Sequence, residues 1–237
     1  MTVRVAMWSG PRNLSTAMMR AWENRPDTEV VDEPLYAAYL AATGLEHPGR
    51  EEVLASQPTD WHEAVAGLLA PTDAAVHYVK HMTHHLLPGT TLEWVPAARN
   101  VLLVRDPAEV VASYVRSRES CEPEDIGLLQ QVRLLEVLPD DVPVLDAGDF
   151  LRDPEVHLRW LCDWLGIGWT DRMLSWPAGP RDSDGVWAPH WYDAVRRSTG
   201  FEPWRPRPVE LGAHDAAVAE ACRPAYDLLR ERRLRLV

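Results

Sequence analysis

The run Val3-Arg4-Val5-Ala6-Met7-Trp8-Ser9-Gly10-Pro11-Arg12-Asn13-Leu14-Ser15-Thr16 constrains this chain more than any other stretch. A short apolar strand meets a tight Gly-Pro turn carrying a basic residue, and a helix then opens with small hydroxyl side chains. A helix N-terminus leaves backbone N–H groups unpaired and carries the positive end of the helix dipole. Strand, loop and helix with Arg12, Ser15 and Thr16 therefore form a place to hold a phosphate or sulfate. The pattern G-x-x-x-x-G-K-[ST] is absent, and no Lys stands where it would reach a β/γ-phosphate pair, so this is not a Walker A loop. The segment equally suits an ordinary first βα turn in which Ser15 and Thr16 only cap the helix.

A second segment, Asn100-Val101-Leu102-Leu103-Val104-Arg105-Asp106-Pro107 through Ser113-Tyr114, weights the choice toward anion binding. Four consecutive apolar residues suit a strand buried on both faces of a parallel sheet. Asp106 followed by Pro107 is a helix start, an N-cap and then proline at the first helical position. Arg105 thus stands at the carboxyl end of a central strand, where open α/β sheets bind ligands. There it offers a charge-assisted fork to a phosphate, or else pairs structurally with Asp106 or Glu109.

Together the two segments resemble a known family, the sulfotransferases that use 3′-phosphoadenosine-5′-phosphosulfate (PAPS). Ser9 to Thr16 is similar to their 5′-phosphosulfate loop, and Arg105-Asp106-Pro107 with Ser113 to their 3′-phosphate motif. Leu145-Asp146 through Asp153-Pro154-Glu155, ending in Leu165-Gly166, resembles the strand, acidic turn and helix that follow. The resemblance runs to about Gly166 and more faintly to Gly200. It implies a soluble, bacterial-type enzyme with a P-loop-like α/β fold, PAPS as donor and PAP as product. Pro11, Arg12, Asn13, Leu14, Ser15 and Thr16 then hold the phosphosulfate, and Arg105 and Ser113 the 3′-phosphate. Arg196 and Arg197 weakly resemble the late basic loop that closes on that phosphate. Two departures stand out. Arg12 replaces the Lys of many members, and Leu14-Ser15-Thr16 replaces Gly-Thr-Thr. Leu14 calls for an ordinary helical backbone; conformations open only to Gly are lost with the change.

Sulfuryl transfer is an in-line displacement in which the protein supplies position and charge stabilisation. It needs a base for the acceptor and a cation for the leaving oxygen, for which Arg12 and Lys80 are the candidates. Glu33, ending a strand before Pro34, is the first candidate base, with a salt bridge to Arg12 as its structural alternative. The competitor is Lys80-His81-Met82-Thr83-His84-His85, which somewhat resembles a Lys-Thr-His segment of the family. His84 or His85 reaches the same space if the chain turns helical there, and histidine titrates near neutrality. His81 and His85 have the i, i+4 spacing of a metal pair, but no partner carboxylate is evident, so no metal is expected.

Strands at Val3–Met7, Glu29–Glu33, Ala74–Lys80, Asn100–Arg105 and Val142–Leu145 alternate with helices at Leu14–Asn24, Leu35–Leu40, Trp61–Leu69, Ala108–Ser117 and Glu124–Leu138. That alternation implies a parallel sheet with helices on both faces. Residues 44–58 read as loop. Residues 169–208, dense in Pro and punctuated by Trp169, Trp176, Trp187, Trp191 and Trp204, read as an irregular flap over the sheet edge. The flap's tryptophans either pack the core or line an acceptor pocket, core packing being favoured for any one of them. A C-terminal helix within 213–235 is expected to break near Pro224. The 237 residues suit one domain.

The net charge of −12 argues against general binding to nucleic acid or anionic membrane. Cys121, Cys162 and Cys222 lack metal or redox spacing, and no run reaches membrane-spanning length, so a soluble cytoplasmic protein is expected. The acceptor is a small molecule of unspecified kind, and oligomeric state is not legible. The alternatives are a P-loop kinase- or NTPase-like enzyme and a non-catalytic nucleotide-binding module.

Overall fold

The computed structural model describes residues 2–116, 121–205 and 208–236. In chain order it contains β1 (Val3–Ser9), α1 (Ser15–Glu23), β2 (Thr28–Asp32), α2 (Tyr36–Thr43), α3 (Arg50–Ser56), α4 (Trp61–Leu69) and β3 (Val76–Met82). There follow β4 (Arg99–Val104), α5 (Pro107–Tyr114), α6 (Pro123–Ile126), α7 (Leu128–Leu134), β5 (Val144–Asp146), α8 (Ala147–Arg152) and α9 (Pro154–Leu165). The chain ends with α10 (Ala188–Trp191), α11 (Asp193–Arg197) and α12 (Ala213–Glu231).

The strands form one parallel sheet in the order β2-β3-β1-β4-β5. Because strand side chains alternate in direction, β1 sends Val5 and Met7 to one face and Ala6 and Trp8 to the other. The first face packs Met18, Met19 and Trp22 of α1 and Leu158, Leu161 and Cys162 of α9. The second packs Val110 and Val111 of α5, Leu134 of α7, and Cys222 and Leu229 of α12. A third apolar cluster joins α2 and α3 to Trp187, Ala188 and Tyr192 of the late segment. The expected α/β architecture, with helices on both faces of a parallel sheet, is the observed one.

Several local expectations need correction. β3 continues two residues past Lys80, so Lys80 and His81 are strand residues rather than a strand end. Residues 44–58 are not all loop, since α3 forms behind Gly49, whose φ of 74° suits glycine. The helix expected over Glu124–Leu138 is broken at Gly127, with φ of 80°. That break has a packing reason: a Cβ on Gly10 would lie 1.9 Å from the Ile126 carbonyl oxygen, so the loop after β1 presses directly on the α6–α7 junction. Conversely, α12 runs unbroken through Pro224. Proline cannot bond the carbonyl four residues back, but Pro224 and Glu220 both lie on the exposed face of the helix, where solvent can offset the lost bond. Helix α5 closes at Tyr114, and Ser117, the expected end of that helix, lies outside the described residues.

The strand position of His81 decides its chemistry. Its ring stacks on Trp8 at 4.0 Å between centroids, fully buried, and Trp8 in turn donates to Asn100 Oδ1 at 2.8 Å. Burial pulls the His81 pKa down to about 3, with His77 adding to the effect. A histidine whose folded pKa lies below its unfolded value of about 6.5 contributes stability above that value and loses it as pH falls toward the folded pKa. At pH 5 this one group is expected to cost about 2 kcal/mol relative to pH 7.5. Denaturant unfolding at the two pH values checks this: His81→Phe, which keeps the stack, should shrink the acid loss by about that amount.

Candidate active site

All parallel strands deliver their carboxyl ends to one edge, and the strand order reverses at β1, where such sheets bind ligands. A cavity of about 380 Å³ opens there, within the range of small-molecule sites. Pro11, Arg12, Asn13, Leu14, Ser15 and Thr16 line it, with Glu33, Lys80, His84, His85, Arg105 and Ser113. Segments 93 and 101 residues apart in sequence are directly bonded here. The Arg12 Nε–H donates to Ser113 Oγ at 3.0 Å, and an Arg105 N–H donates to the Arg12 carbonyl oxygen at 3.0 Å. Ser113 accepts from Arg12, which leaves its own hydroxyl proton available to donate. Arg105 also pairs with Glu109 at 2.8 Å, while Asp106 caps α5 and pairs with Arg223.

The loop takes a backbone that its residue types do not favour. Leu14 stands at φ 59°, ψ 1°, and Arg12 at φ 56°. Leu14 therefore adopts the left-handed conformation expected to be lost with the glycine, rather than the ordinary helical one. Asn13 between them is buried, its amide donating to the Leu103 carbonyl at 2.6 Å, which pins the loop to β4. Helix α1 starts with no side-chain cap and no acid in its first turn, so neither Ser15 nor Thr16 caps it. Burial, with Arg116 and Arg105 nearby, pulls the Arg12 pKa below its usual value. Like charges are crowded at this end of the cavity.

The other end is built on Lys80. Its register places it between Met7 of β1 and Asp32 of β2, fully buried. Its ammonium lies 2.8 Å from Asp32 Oδ1, 2.6 Å from Glu33 Oε1 and 2.5 Å from the Tyr192 oxygen, so its three donors are engaged. Glu33 pairs with Lys80 and not with Arg12, which corrects the alternative drawn from the sequence. Glu33 also adopts φ 41°, and its backbone N–H continues the sheet by donating to the Lys80 carbonyl at 2.9 Å. Two carboxylates share one ammonium, so negative charge is in excess. Burial, with Asp32 adding to it, holds the Glu33 pKa above the usual carboxylate value; for Lys80 the two acids outweigh burial and raise it.

The chain turns into a single turn of 3₁₀ helix at Thr83–His85, which brings His84 and His85 to the cavity wall as the helical alternative required. His85 is buried against Tyr36 at 4.9 Å between centroids, and burial keeps its pKa well below the usual value. No group of three His, Cys, Asp or Glu among the described residues could hold a metal. Arg196 and Arg197 are not in the cavity wall; Arg196 turns toward Asp184, 3.8 Å away, and Arg205 is the late guanidinium that lines the cavity. Of the five tryptophans between 169 and 204, Trp176 and Trp187 are buried in the core, while Trp191 and Trp204 line the cavity. Sequence reasoning missed Asp32 and Tyr192. Asp32 was signalled by its place beside Glu33 in a strand end, whereas Tyr192 lies in a segment without periodicity.

The family model described as Sulfotransferase domain matches residues 3–233. The sulfotransferase domain of the Synechococcus PCC 7002 olefin synthase has a TM-score of 0.57 at 17% identity, covering 93% of this chain and 94% of that one. The sulfotransferase domain from the curacin biosynthetic pathway gives 0.57 at 16% identity, covering 93% and 97%. At those identities the likeness is one of fold. In Arabidopsis thaliana, branched-chain-amino-acid aminotransferase-like protein 2 is 35% identical over 227 residues, 94% of this chain and 40% of that protein. Protein 1 of the same name is 38% identical over 232 residues, 94% and 41%. The chain thus spans about two-fifths of the length of these relatives. With the family match spanning nearly every residue, this chain belongs to the sulfotransferase-domain family.

Proposed function

We propose that this chain transfers a sulfuryl group from PAPS to a hydroxyl or amine of a small-molecule acceptor. The observation that carries the reading is the pair Arg12 and Arg105, tied together through the Arg12 carbonyl at 3.0 Å at the end of the cavity where α1 presents an uncapped N-terminus. Two guanidiniums lining one end of a cavity suit an anion, and backbone N–H groups at a helix start suit a phosphate or sulfate. The cavity is also large enough for a nucleotide's reactive end. The residues therefore fit the donor. When bound, PAPS supplies the activated sulfuryl group and a phosphate that leaves with the bridging oxygen.

The chain's own groups do the rest. Asn13 to Thr16 and Arg12 hold the phosphosulfate, and Arg105 with the free hydroxyl proton of Ser113 holds the 3′-phosphate. Arg12 is the cation nearest the leaving charge. Lys80 has its donors committed to Asp32, Glu33 and Tyr192, so its part is to fix the base rather than to meet the leaving group directly. Glu33 takes the acceptor's proton; its raised pKa brings it nearer to neutrality, where a general base works best. His84 and His85, with Tyr36 and Trp191, wall the acceptor side. Three free, buried cysteines suit a reducing compartment such as the cytoplasm. No helix among the described residues is long and apolar enough to cross a membrane.

Calorimetry with PAP, 5′-AMP and ATP–Mg²⁺ tests the donor site. PAP is expected to bind best, and Arg105→Ala to weaken it about tenfold or more. Preference for ATP–Mg²⁺ would replace this reading with an NTPase-like enzyme, and PAP binding without turnover on any acceptor would leave a non-catalytic module.

Glu33→Gln is expected to lower turnover by about 100- to 10,000-fold while PAP affinity stays unchanged. Because the folded Glu33 pKa lies above the ordinary carboxylate value, activity falls on acidification at a higher pH than a free Glu would give. Steady-state rates against pH check this, and an acidic limb that survives intact in Glu33→Gln removes Glu33 from the chemistry.

A further inference from the structure

The late irregular segment does more than cover the cavity. Its Tyr192, buried between α10 and α11, reaches into the Lys80 cluster from the side opposite the sheet. The phenol donates to the Asp32 carboxylate, 2.7 Å from Oδ2 and 2.9 Å from Oδ1, and its oxygen accepts from Lys80. It accepts from the Trp187 indole as well, at 3.2 Å, and lies 3.5 Å from Glu33 Oε1. The same segment gives Asp32 a second donor, the Gly185 backbone N–H at 3.1 Å. Its ring sits under the Lys80 ammonium at 4.8 Å and packs in the cluster of Tyr36, Leu40 and Trp187. Every hydrogen-bonding capacity of this hydroxyl is used, and all of it on groups of the buried cluster or their support.

We propose that Tyr192 is a positioning residue: its hydroxyl takes up the charge of Asp32, so that Lys80 is left to hold the Glu33 carboxylate at the cavity wall. The inference rests on the reading of Glu33 as the base, and it gives that base a partner outside the sheet.

The physical argument is a division of donors. Asp32 and Glu33 compete for one ammonium. With the phenol and the Gly185 N–H serving Asp32, Lys80 can spend a full hydrogen bond on Glu33. Without the phenol, Lys80 is drawn toward Asp32, and its bond to the Glu33 carboxylate weakens. The charged form of Glu33 is then less stabilised, and it holds its proton to higher pH. The titratable groups around Glu33 are Asp32 on β2, Lys80 and Tyr78 on β3, Tyr192 itself, and, along the cavity wall, His47, His84, His85 and Arg12. Substituting Tyr192 adds or removes no other titratable group, so the sign of the change follows from the lost hydroxyl and the shift of Lys80 that it allows.

The test is Tyr192→Phe, which keeps the ring and removes one oxygen. In the free protein, ¹³C NMR of Glu carboxyl carbons, with the Glu33 resonance identified by its loss in Glu33→Gln, gives the Glu33 titration without any turnover. The midpoint is expected to rise by about half to one pH unit. The acidic limb of kcat/KM should move by the same amount in the same direction, with PAP affinity unchanged. Trp187→Phe, which removes the indole donor to the Tyr192 oxygen together with part of a buried ring, should give a smaller shift of the same sign and serves if the first variant does not fold. An unmoved Glu33 titration in the folded variant overturns the proposal. A shifted titration in a protein that transfers no sulfuryl group upholds the positioning role and counts instead against the assigned activity.

Discussion

One buried ammonium shared by two carboxylates sets the terms for the rest of this structure. Taking Lys80, Asp32 and Glu33 out of water is costly, and their mutual attraction repays it only if each remaining lone pair finds a donor. Lys80 reaches Asp32 because β2 and β3 pair in parallel register with these residues opposite one another. A slip of one residue would turn Lys80 to the other face of the sheet. The excess negative charge then demands donors from elsewhere, and they come from the late segment around α10 and α11, through Gly185 and Tyr192. Breaking such a cluster by removing one partner costs about 3–5 kcal/mol, because the other charge is left buried and alone. The irregular segment is thus held by the same interaction that holds the carboxylate at the cavity wall.

The cavity inherits a polarity from this arrangement. At one end the β1–α1 loop, β4 and α5 supply Arg12, Arg105 and the start of α1. At the other, the Lys80 cluster carries a net negative charge beside neutral, buried His85. Fields inside a poorly solvated cleft are stronger than in water. Under the proposed function, this polarity would draw an anionic donor to one end and set the acceptor beside Glu33 at the other. The chain as a whole is strongly acidic, at −12, so the positive end owes nothing to net charge and everything to local placement.

What was legible in the sequence follows this division. The strand-turn-helix at Ser9 to Thr16 and the Arg105…Ser113 spacing are local patterns, and local patterns survive into structure: the two segments meet through the Arg12–Ser113 bond. Alternation of strands and helices gave the parallel sheet, because helical and strand periods differ in the sequence itself. What could not be read were contacts that depend on register and on aperiodic chain. The partner of Glu33 proved to be Lys80 rather than Arg12, a fact of strand pairing. Arg196 and Arg197 were phosphate-ligand candidates by family resemblance alone, yet α11 turns Arg196 toward Asp184, and neither is in the cavity wall. Tyr192, one aromatic among many, carries no spacing that distinguishes it from Trp187 five residues before.

Backbone strain adds a further constraint. Among the described residues, the non-glycine positions with positive φ are Arg12, Leu14 and Glu33, and all three line the cavity. Each costs about 1–3 kcal/mol relative to a relaxed conformation, and glycine would remove that cost. The strain persists because each side chain does something glycine cannot. Arg12 reaches Ser113 and Glu33 reaches Lys80. Leu14 packs its side chain against the core that includes Met18. Partial burial of an aliphatic side chain recovers about 1 kcal/mol, enough to offset much of its left-handed cost. The loop therefore keeps the backbone shape that glycine would have allowed, with its N–H groups free of side-chain caps, while gaining a hydrophobic anchor. The departure at Leu14, which from the sequence calls for the loss of a glycine-type conformation, leaves that conformation in place in the folded chain.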